Sequence, residues 1–146
     1  KGASFPQIRL GGAKARLIAG SLGGKKGPAL THTPITMFDM DCSDSTTADF
    51  ELSPGTTTLI FVLSGEAVAQ EARTLRAGDL MIMNRNEHGR VQLEAEAGTR
   101  VLVLNGEPLN EPVVAHGPFV MNSRQEIVQA IQDYQAGKMG TLAPTL

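Results

Sequence analysis

The segment that decides the fold prediction runs from Thr56 to Met83 and reads TTTLIFVLSGEAVAQEARTLRAGDLMIM. Its first apolar run, TLIFVL, ends at the turn Ser64-Gly65, and a second turn at Gly78-Asp79 leads into the apolar run LMIM. Apolar runs separated by glycine-containing turns indicate paired β-strands. The segment contains neither His nor Cys, which transition metals favour as ligands. It therefore predicts a β-rich core that supplies no such ligand from this segment.

Further strand patterns lie on both sides of this segment. Upstream, AKARLIAG is followed by a polar loop at 21–34, and the runs ITMFDMDC and TADFELS flank the turn SDST. Downstream, RVQLEAE and TRVLVLNG lie on either side of Ala97-Gly98. About eight short strands joined by turn residues indicate an all-β sandwich or barrel. We expect the barrel to span residues 13–120.

The two ends of the chain differ from this pattern. Residues 1–12 contain Pro6, three glycines and little periodicity, so we expect a linker or arm. Ser123 begins SRQE, which has the spacing of a helix-capping box. Apolar residues then recur at helical intervals before a stop signal at Gly137, namely Ile127, Ala130, Ile131 and Tyr134. Residues 121–140 are therefore predicted to form a short C-terminal α-helix extension, and 141–146 a tail.

The longest motif in the chain is GEPLNEPVVAHGPFVMNSRQEIVQAIQDYQAGKMG, from Gly106 to Gly140. It resembles the end of pirin family proteins, which close with a GEP turn, a GPFVMN segment and a helix. RLIAG and the THTP that follows it are similar to the start of the pirin C-terminal cupin. The resemblance extends from about Ala13 to Gly140. It implies a cupin fold, which is a double-stranded β-helix or jelly-roll barrel.

Cupins that bind a metal hold it with a His-x-His pair and a Glu just before the strand equivalent to TLIFVL, and with a further His beyond a turn like Gly78-Asp79. Aligned from the shared LSGE turn, this sequence has Glu51, Ser53 and Thr57 at the first three positions. One carboxylate and two hydroxyls are poor ligands for Fe, Ni or Zn. We therefore expect no metal, catalytic or cofactor-binding residue in this chain.

The resemblance also has implications for the whole protein. Pirins are similar to one another in having two cupin barrels in tandem, with the metal in the N-terminal one. The resemblance implies that Fe or another divalent metal, and the flavonol dioxygenase activity of some members, belong to an N-terminal cupin that this sequence does not contain. That N-terminal half is then the expected partner of this chain. Eukaryotic members are linked to transcriptional roles, so a further protein partner is also expected.

The histidines and the cysteine have plain structural interpretations. His32, His88 and His116 would bind a metal only if all three converged, and we favour turn and loop roles for them. Cys42 is a single cysteine, so it cannot form an internal disulfide. Because no basic residue adjoins it in sequence to lower its pKa, we expect a small buried apolar group.

Two further motifs do not match known ligand sites. The glycine-rich loop GSLGGKKG, from Gly20 to Gly27, lacks the spacing and the Ser or Thr of a phosphate-binding P-loop. We expect it to be a flexible connection with solvated lysines. Four carboxylates lack the glycine and glutamate spacing of a calcium loop, so solvation explains them better: Asp39, Asp41, Asp44 and Asp49.

Size, charge and hydropathy restrict the class of protein. With 146 residues, 41% of them hydrophobic, the chain is expected to form one domain. The net charge of −2 and the scattered Lys and Arg residues argue against direct nucleic-acid binding. The sequence has no apolar run of about 18 residues to span a membrane, and its start lacks a signal-peptide pattern. We therefore expect a cytoplasmic protein.

Three functions from different classes remain open. The first is a structural and interdomain role as the metal-free half of a two-barrel protein. The second is a part in a metal-dependent quercetin 2,3-dioxygenase whose metal lies in the other barrel. The third is binding of a small apolar ligand inside the barrel. For that role, alternate residues of one strand would form the interior face: Thr57, Leu59, Phe61 and Leu63.

Overall fold

The structure is a computed structural model that describes residues 4–69, 73–83 and 89–142. The chain divides into two compact units, Lys1–Pro108 and Leu109–Leu146. The single domain and the barrel boundary at residue 120 stay predictions. The segment GEPLNEP lies at the division; Pro108 and Pro112 have no N–H to donate, and Asn110 has a φ of 54°. Regular strand pairing therefore does not continue through it.

The described residues are mostly β-strand, with one α-helix near the C-terminal end. In chain order the elements are β1 (Gln7–Leu10), β2 (Ala13–Ala19), β3 (Ser21–Leu22), β4 (Lys25–Lys26), β5 (Ile35–Cys42), β6 (Thr46–Glu51), β7 (Thr57–Ser64), β8 (Glu66–Ala69), β9 (Arg73–Arg76), β10 (Leu80–Met83), β11 (Arg90–Ala95), β12 (Thr99–Gly106), β13 (Val114–His116), β14 (Phe119–Met121) and α1 (Arg124–Gln135).

Two antiparallel sheets make up most of the described part of the first unit, and β3 and β4 form a separate hairpin. The larger sheet has six strands in the order β1-β2-β5-β12-β7-β10, and the smaller has four in the order β6-β11-β8-β9. The strand order departs from chain order because β5 pairs with β12 and β11 pairs with β6. Long-range antiparallel pairing of this kind within each of two facing sheets is typical of jelly rolls. The predicted all-β fold is confirmed, and so is the short C-terminal helix.

The hydrophobic core lies between the two sheets. Phe38 of the larger sheet and Phe50 of the smaller sheet meet edge to face, with ring centroids 5.2 Å apart. Around this pair, the largest fully buried apolar side chains come from both sheets: Leu17, Met40, Ile60, Leu93, Val62, Val91, Val101 and Val103. Burying each such side chain contributes about 1.5–3 kcal/mol. The interior of the first unit is therefore filled mainly by the protein's own side chains.

The first strand corrects the prediction of an arm at residues 1–12. Gln7–Leu10 forms β1, which pairs with β2 in register, so that Leu10 lies opposite Ala13. Ile8 and Leu10 belong to the core cluster, and the turn Gly11-Gly12 reverses the chain between the strands. The prediction failed because four residues bounded by proline and glycine are too short to establish an alternating pattern.

The turn between β7 and β8 depends on a glycine. Gly65 has a φ of 78°, and a Cβ built on it would lie 2.7 Å from the Cα of Thr99. The buried Thr99 hydroxyl accepts a hydrogen bond from the Glu66 N–H at 3.1 Å and donates one to the Glu66 carbonyl oxygen at 2.9 Å. Only glycine combines this backbone conformation with such close approach.

The second unit contains the β13–β14 hairpin and α1. Ser123 is the N-cap: its hydroxyl accepts from the Glu126 N–H at 3.2 Å, and the Glu126 carboxylate accepts from the Ser123 N–H at 2.9 Å. The predicted capping box is therefore confirmed. Ile127 and Ala130 are the buried residues of the helix, and the ring of Tyr134 lies 6.3 Å from that of Phe119 in β14.

The helix also bears on the membrane question. In the part of the chain that the structure describes, no helix has the length and apolar character needed to cross a bilayer.

Candidate functional site

The interior face of β7 is the reverse of the one predicted. Ile60 and Val62 are fully buried, and Thr58 is 6% exposed. The four residues predicted to line the interior lie on the outer face, half-buried or exposed: Thr57, Leu59, Phe61 and Leu63. The prediction failed because both faces of this strand carry apolar residues, so alternation does not tell which face is inside.

The positions equivalent to cupin metal ligands do not meet in this interior. Glu51 ends β6 and Ser53 lies in the following loop, and both are exposed. Thr57 lies on the outer face of β7. Within residues 4–69, 73–83 and 89–142, no group of three His, Cys, Asp or Glu side chains is placed to hold a metal ion. These three positions do not fit an iron site, since they offer only oxygen donors outside the lumen.

The histidines were expected to have turn and loop roles. His32 is exposed in a bend before β5. His116 is also exposed, but it lies in β13 and not in a loop. His88 lies outside the described residues, so the convergence of three imidazoles stays an untested alternative.

A buried polar cluster lies between β7 and β12. Asn105 is 5% exposed and faces Thr58 across the strand pair. Its side-chain amide donates hydrogen bonds to Thr58 Oγ1 at 2.9 Å and to Thr56 Oγ1 at 2.5 Å. The Thr56 hydroxyl in turn donates to the Ser53 carbonyl oxygen at 2.5 Å. Amides and hydroxyls do not change protonation state near neutral pH, so this cluster supports packing and not acid–base chemistry.

The thiol of Cys42 is fully buried at the end of β5. Burial raises its pKa, and the negative charge of Asp41 raises it further. A thiol with a raised pKa is mostly protonated at neutral pH and is a weak nucleophile. The prediction of a small buried apolar group is confirmed.

Charged residues form a network on part of the outer face of the six-stranded sheet. Arg16 makes a bidentate ion pair with Asp39, with Nε 2.8 Å from Oδ1. Arg100 lies 3.9 Å from both Asp39 and Asp41. The hydrogen bond from Arg16 holds the pKa of Asp39 below its usual value, although burial opposes this shift. Asp39 is therefore ion-paired and 14% exposed, and not simply solvated as predicted.

Two more residues that were expected to be solvated make contacts within the protein. Lys25, at the tip of the β3–β4 hairpin, donates a hydrogen bond from Nζ to the Gln7 carbonyl oxygen at 2.6 Å. This lysine is tied to β1 and is not simply solvated as predicted. Asp49 pairs with Arg90 across β6 and β11 at 2.6 Å. The hydrogen bond from Arg90 lowers the pKa of Asp49, so this carboxylate also has a structural partner.

The remainder of that outer face is apolar. Eight side chains from four neighbouring strands form what we call the outer apolar patch: Met37, Leu59, Phe61, Leu63, Leu80, Ile82, Leu102 and Leu104. Leu63, Leu80 and Ile82 are 43%, 53% and 67% exposed. Antiparallel sheets with one solvated face normally place polar residues there. Exposed apolar surface of this kind is a candidate interaction surface.

The sequence contained a signal for this patch that pattern analysis missed. The runs TLIFVL, LMIM and VLVL are apolar at every position or nearly so. A strand that is buried on both faces shows such a continuous run, whereas a strand buried on one face alternates. The continuous runs therefore predict burial of both faces of β7, β10 and β12, whereas the outer face is half-buried or exposed in the structure.

Comparisons with known proteins identify the family of this chain. Residues 37–140 match the family model of the Pirin C-terminal cupin domain. A Pseudomonas aeruginosa protein provisionally named a quercetin 2,3-dioxygenase is 39% identical over 139 residues, covering 93% of this chain and 48% of that protein. A pirin-like protein of Solanum lycopersicum is 32% identical, with 93% and 47% covered. The chain spans about half the length of the curated relatives it matches.

A solved structure gives the same result for the fold. The crystal structure of quercetin 2,3-dioxygenase from Acinetobacter baumannii superposes with a TM-score of 0.87 at 37% sequence identity. The match covers 96% of this chain and 49% of that one. The predicted cupin fold is therefore confirmed.

Proposed function

The chain belongs to the pirin family, where it corresponds to the C-terminal cupin domain, and from this premise we propose that it is the metal-free, structural half of a two-barrel protein. Its role in this proposal is to support and position a second cupin barrel. A cytoplasmic setting is part of the proposal, because a chain with one cysteine has no internal disulfide framework of the kind common in small secreted domains.

One observation carries the proposal. The ligand-equivalent positions Glu51 and Ser53 are exposed, Thr57 lies on the outer face of its strand, and none of the three supplies an imidazole. The interior is instead filled by apolar side chains such as Phe38 and Ile60. A transition metal requires several convergent donors of the right type. The residues present therefore favour a packed scaffold over a reaction centre.

An enzyme remains the second candidate for the whole protein. The Acinetobacter baumannii structure is named as a quercetin 2,3-dioxygenase, and this chain matches about half of it. If the whole protein oxidises quercetin, we place the metal and the chemistry in the other barrel. The present half would then contribute stability and orientation but no group that touches the substrate.

The experiment measures metal content and oxygen uptake with quercetin for two proteins. One is this chain, and the other is the full-length gene product that contains it. We expect substoichiometric Fe, Ni and Zn and no oxygen uptake in this chain, whatever the longer protein does. Stoichiometric metal together with turnover by this chain would overturn the proposal. Metal and turnover in the longer protein alone would support the second candidate.

A further inference from the structure

The buried Asn105 is followed by Gly106, and this is the one Asn-Gly pair in the sequence. The nitrogen of a residue that follows asparagine can attack the asparagine side chain, and in glycine no Cβ crowds that nitrogen. Neither the backbone nor the available space requires glycine at 106. Its φ lies outside the left-handed region, and a Cβ built on it would lie 3.5 Å from Ile35 Cγ1, which is an ordinary contact. The pair therefore has a reactivity that the fold itself does not demand.

The folded protein holds this pair in an unreactive arrangement. The side-chain amide of Asn105 donates to the hydroxyls of Thr56 and Thr58 at the start of β7. It also donates to the Thr57 carbonyl oxygen at 3.5 Å. Ring closure onto Gly106 requires rotation of both the backbone and the side chain of Asn105. Strand pairing and these hydrogen bonds oppose that rotation, so the reaction requires the strand end to open.

The position of the pair favours such opening. Gly106 is the last residue of β12, and it pairs with Ile35 and Thr57, which are the first residues of β5 and β7. Gly106 is half-buried, and Pro108 follows without an N–H to extend the pairing. Strand ends open at a lower free energy than the core does. A few residues can therefore separate here while the rest of the sheet stays folded.

We propose that Asn105-Gly106 is a deamidation site that is controlled by opening of the end of β12. In the open state the Gly106 nitrogen attacks the side-chain carbonyl carbon of Asn105. A new C–N bond closes a cyclic imide, the bond to Nδ2 breaks, and ammonia leaves with the proton from the Gly106 nitrogen. Water then opens the imide at either carbonyl and leaves aspartate or isoaspartate. This site goes beyond the proposed structural role and does not depend on it.

The product does not fit the closed cluster. A carboxylate cannot donate to the Thr57 carbonyl oxygen, and the Thr56 hydroxyl already donates to the Ser53 carbonyl oxygen. Burying a charge without sufficient hydrogen-bond partners is costly, so the modified strand end closes less well. Because the ammonia is lost, the change is irreversible. Deamidation would therefore mark permanently those molecules in which the strand end has opened.

The experiment incubates the full-length gene product that contains this chain at neutral pH, both folded and in urea, and measures deamidation by mass spectrometry. Trypsin is expected to release residues 101–124 as one peptide, which also contains Asn110 and Asn122. Both are exposed, but a residue with a side chain follows each, so they are internal controls. We expect Asn105 to react first in urea, and to react measurably but at least about tenfold more slowly in the folded protein.

Three variants separate the chemistry from the opening. Gly106→Ala should slow deamidation in urea by about tenfold or more, because the added methyl group crowds the attacking nitrogen. Thr58→Val removes one acceptor of the amide and should speed deamidation of the folded protein roughly two- to tenfold, which is the effect of losing one hydrogen bond. Val91→Ala truncates a buried residue of β11 away from the cluster, and we expect the wild-type rate. Circular dichroism checks folding, and Thr56→Val is used if Thr58→Val does not fold.

Four results would count against the proposal. An Asn105 that stays unmodified in both the folded wild type and the threonine variant would show that the strand end does not open. Equal rates in the folded and unfolded protein would exclude control by the fold. A larger increase in Val91→Ala than in Thr58→Val would assign the reaction to global unfolding. Asn105→Asp, made directly, should have a lower urea midpoint than wild type at neutral pH, and an unchanged midpoint would contradict the poor fit of the product.

Discussion

The amide of Asn105 lies on β12, where it follows the inward-facing apolar residues Val101 and Val103. It is nearly fully buried, and it donates to the hydroxyls of Thr58 and Thr56. A buried polar group is costly unless it is hydrogen-bonded, so each member of such a cluster depends on the others. At the scale of single residues, this cluster is where one substitution is expected to have a large effect on stability.

We predict that Asn105→Ala lowers the free energy of unfolding by about 1–3 kcal/mol, because two threonine hydroxyls lose their donor. Urea denaturation at neutral pH measures the change. Gln92→Ala, on the exposed face of β11, is the control and should stay within about 0.5 kcal/mol of wild type. Equal effects of the two substitutions would contradict the structural role of the cluster.

The carboxylate of Asp39 gives a prediction for pH dependence. Its pKa in the folded protein lies below the usual value because Arg16 donates to it. The interaction therefore stabilises the fold above the unfolded-state pKa, about 3.9, and is lost as the pH falls through the lower folded-state pKa. We expect Asp39→Asn to lower the urea midpoint at pH 7, with a smaller effect at about pH 2.

The control for this prediction is Asp44→Asn, in an exposed turn. It should change the urea midpoint little at either pH. If Asp39→Asn had the same effect at both pH values, the ion pair would not be the source of the stability difference.

Single residues also show where sequence analysis reaches its limit. The burial of Cys42 and the absence of imidazole at positions 51, 53 and 57 follow from the sequence. The ion pairs of Asp39 and Asp49 do not, because their partners Arg16 and Arg90 lie on strands distant in the chain. Pairing of this kind depends on sheet register, which no local pattern specifies.

At the scale of elements, β7 is the strand whose buried face the sequence pattern did not predict. Its inner residues Ile60 and Val62 and its outer residues Leu59, Phe61 and Leu63 are all apolar. The helix, in contrast, was predictable because the capping box at Ser123 and the glycine at 137 are local signals. Local sequence signals thus determine where an element begins and ends, whereas the face that it buries depends on its tertiary partners.

We predict opposite outcomes for two truncations in β7. Ile60→Ala should lower the free energy of unfolding by about 2–5 kcal/mol, because it leaves a cavity in the core. Leu63→Ala, at a 43% exposed position, should stay within about 0.5 kcal/mol of wild type. Urea denaturation of both variants measures the difference. If Leu63→Ala were the more destabilising variant, the face that contains Leu63 would be the interior one after all.

For α1, we predict that Ser123→Ala lowers helix stability by about 1 kcal/mol, because the Glu126 N–H loses its side-chain acceptor. Hydrogen exchange of amides in the first helical turn measures this loss. Ser123→Thr keeps a hydroxyl and serves as the control, with protection close to wild type. Unchanged protection in the alanine variant would mean that tertiary packing alone holds the helix start.

At the scale of the whole molecule, the filled core argues against the small-ligand function. Phe38, Met40 and Val103 are at most 1% exposed, and interiors packed in this way leave little room for a guest. The family and the fold were predictable because the C-terminal motif is long. The division at Pro108 was not, because it depends on where contacts between strands cease.

We therefore predict that a panel of apolar metabolites leaves the melting temperature of the protein unchanged. A ligand present at 100 times its dissociation constant would stabilise the fold by about 2.7 kcal/mol, which differential scanning fluorimetry detects readily. A reproducible rise with one compound would revive the ligand-binding function. Ile60→Ala, which opens space in the core, is the positive control for binding.

The sealed position of Cys42 has a practical consequence for spectroscopy. Because this thiol is buried at the end of β5 and its pKa is raised, we expect maleimide dyes to label the wild-type chain only slowly. A new cysteine installed at Ile82 or Gln92 would then take up the label selectively. Distances from such probes to a second fluorophore would report the separation of the two halves in solution without first removing a native thiol.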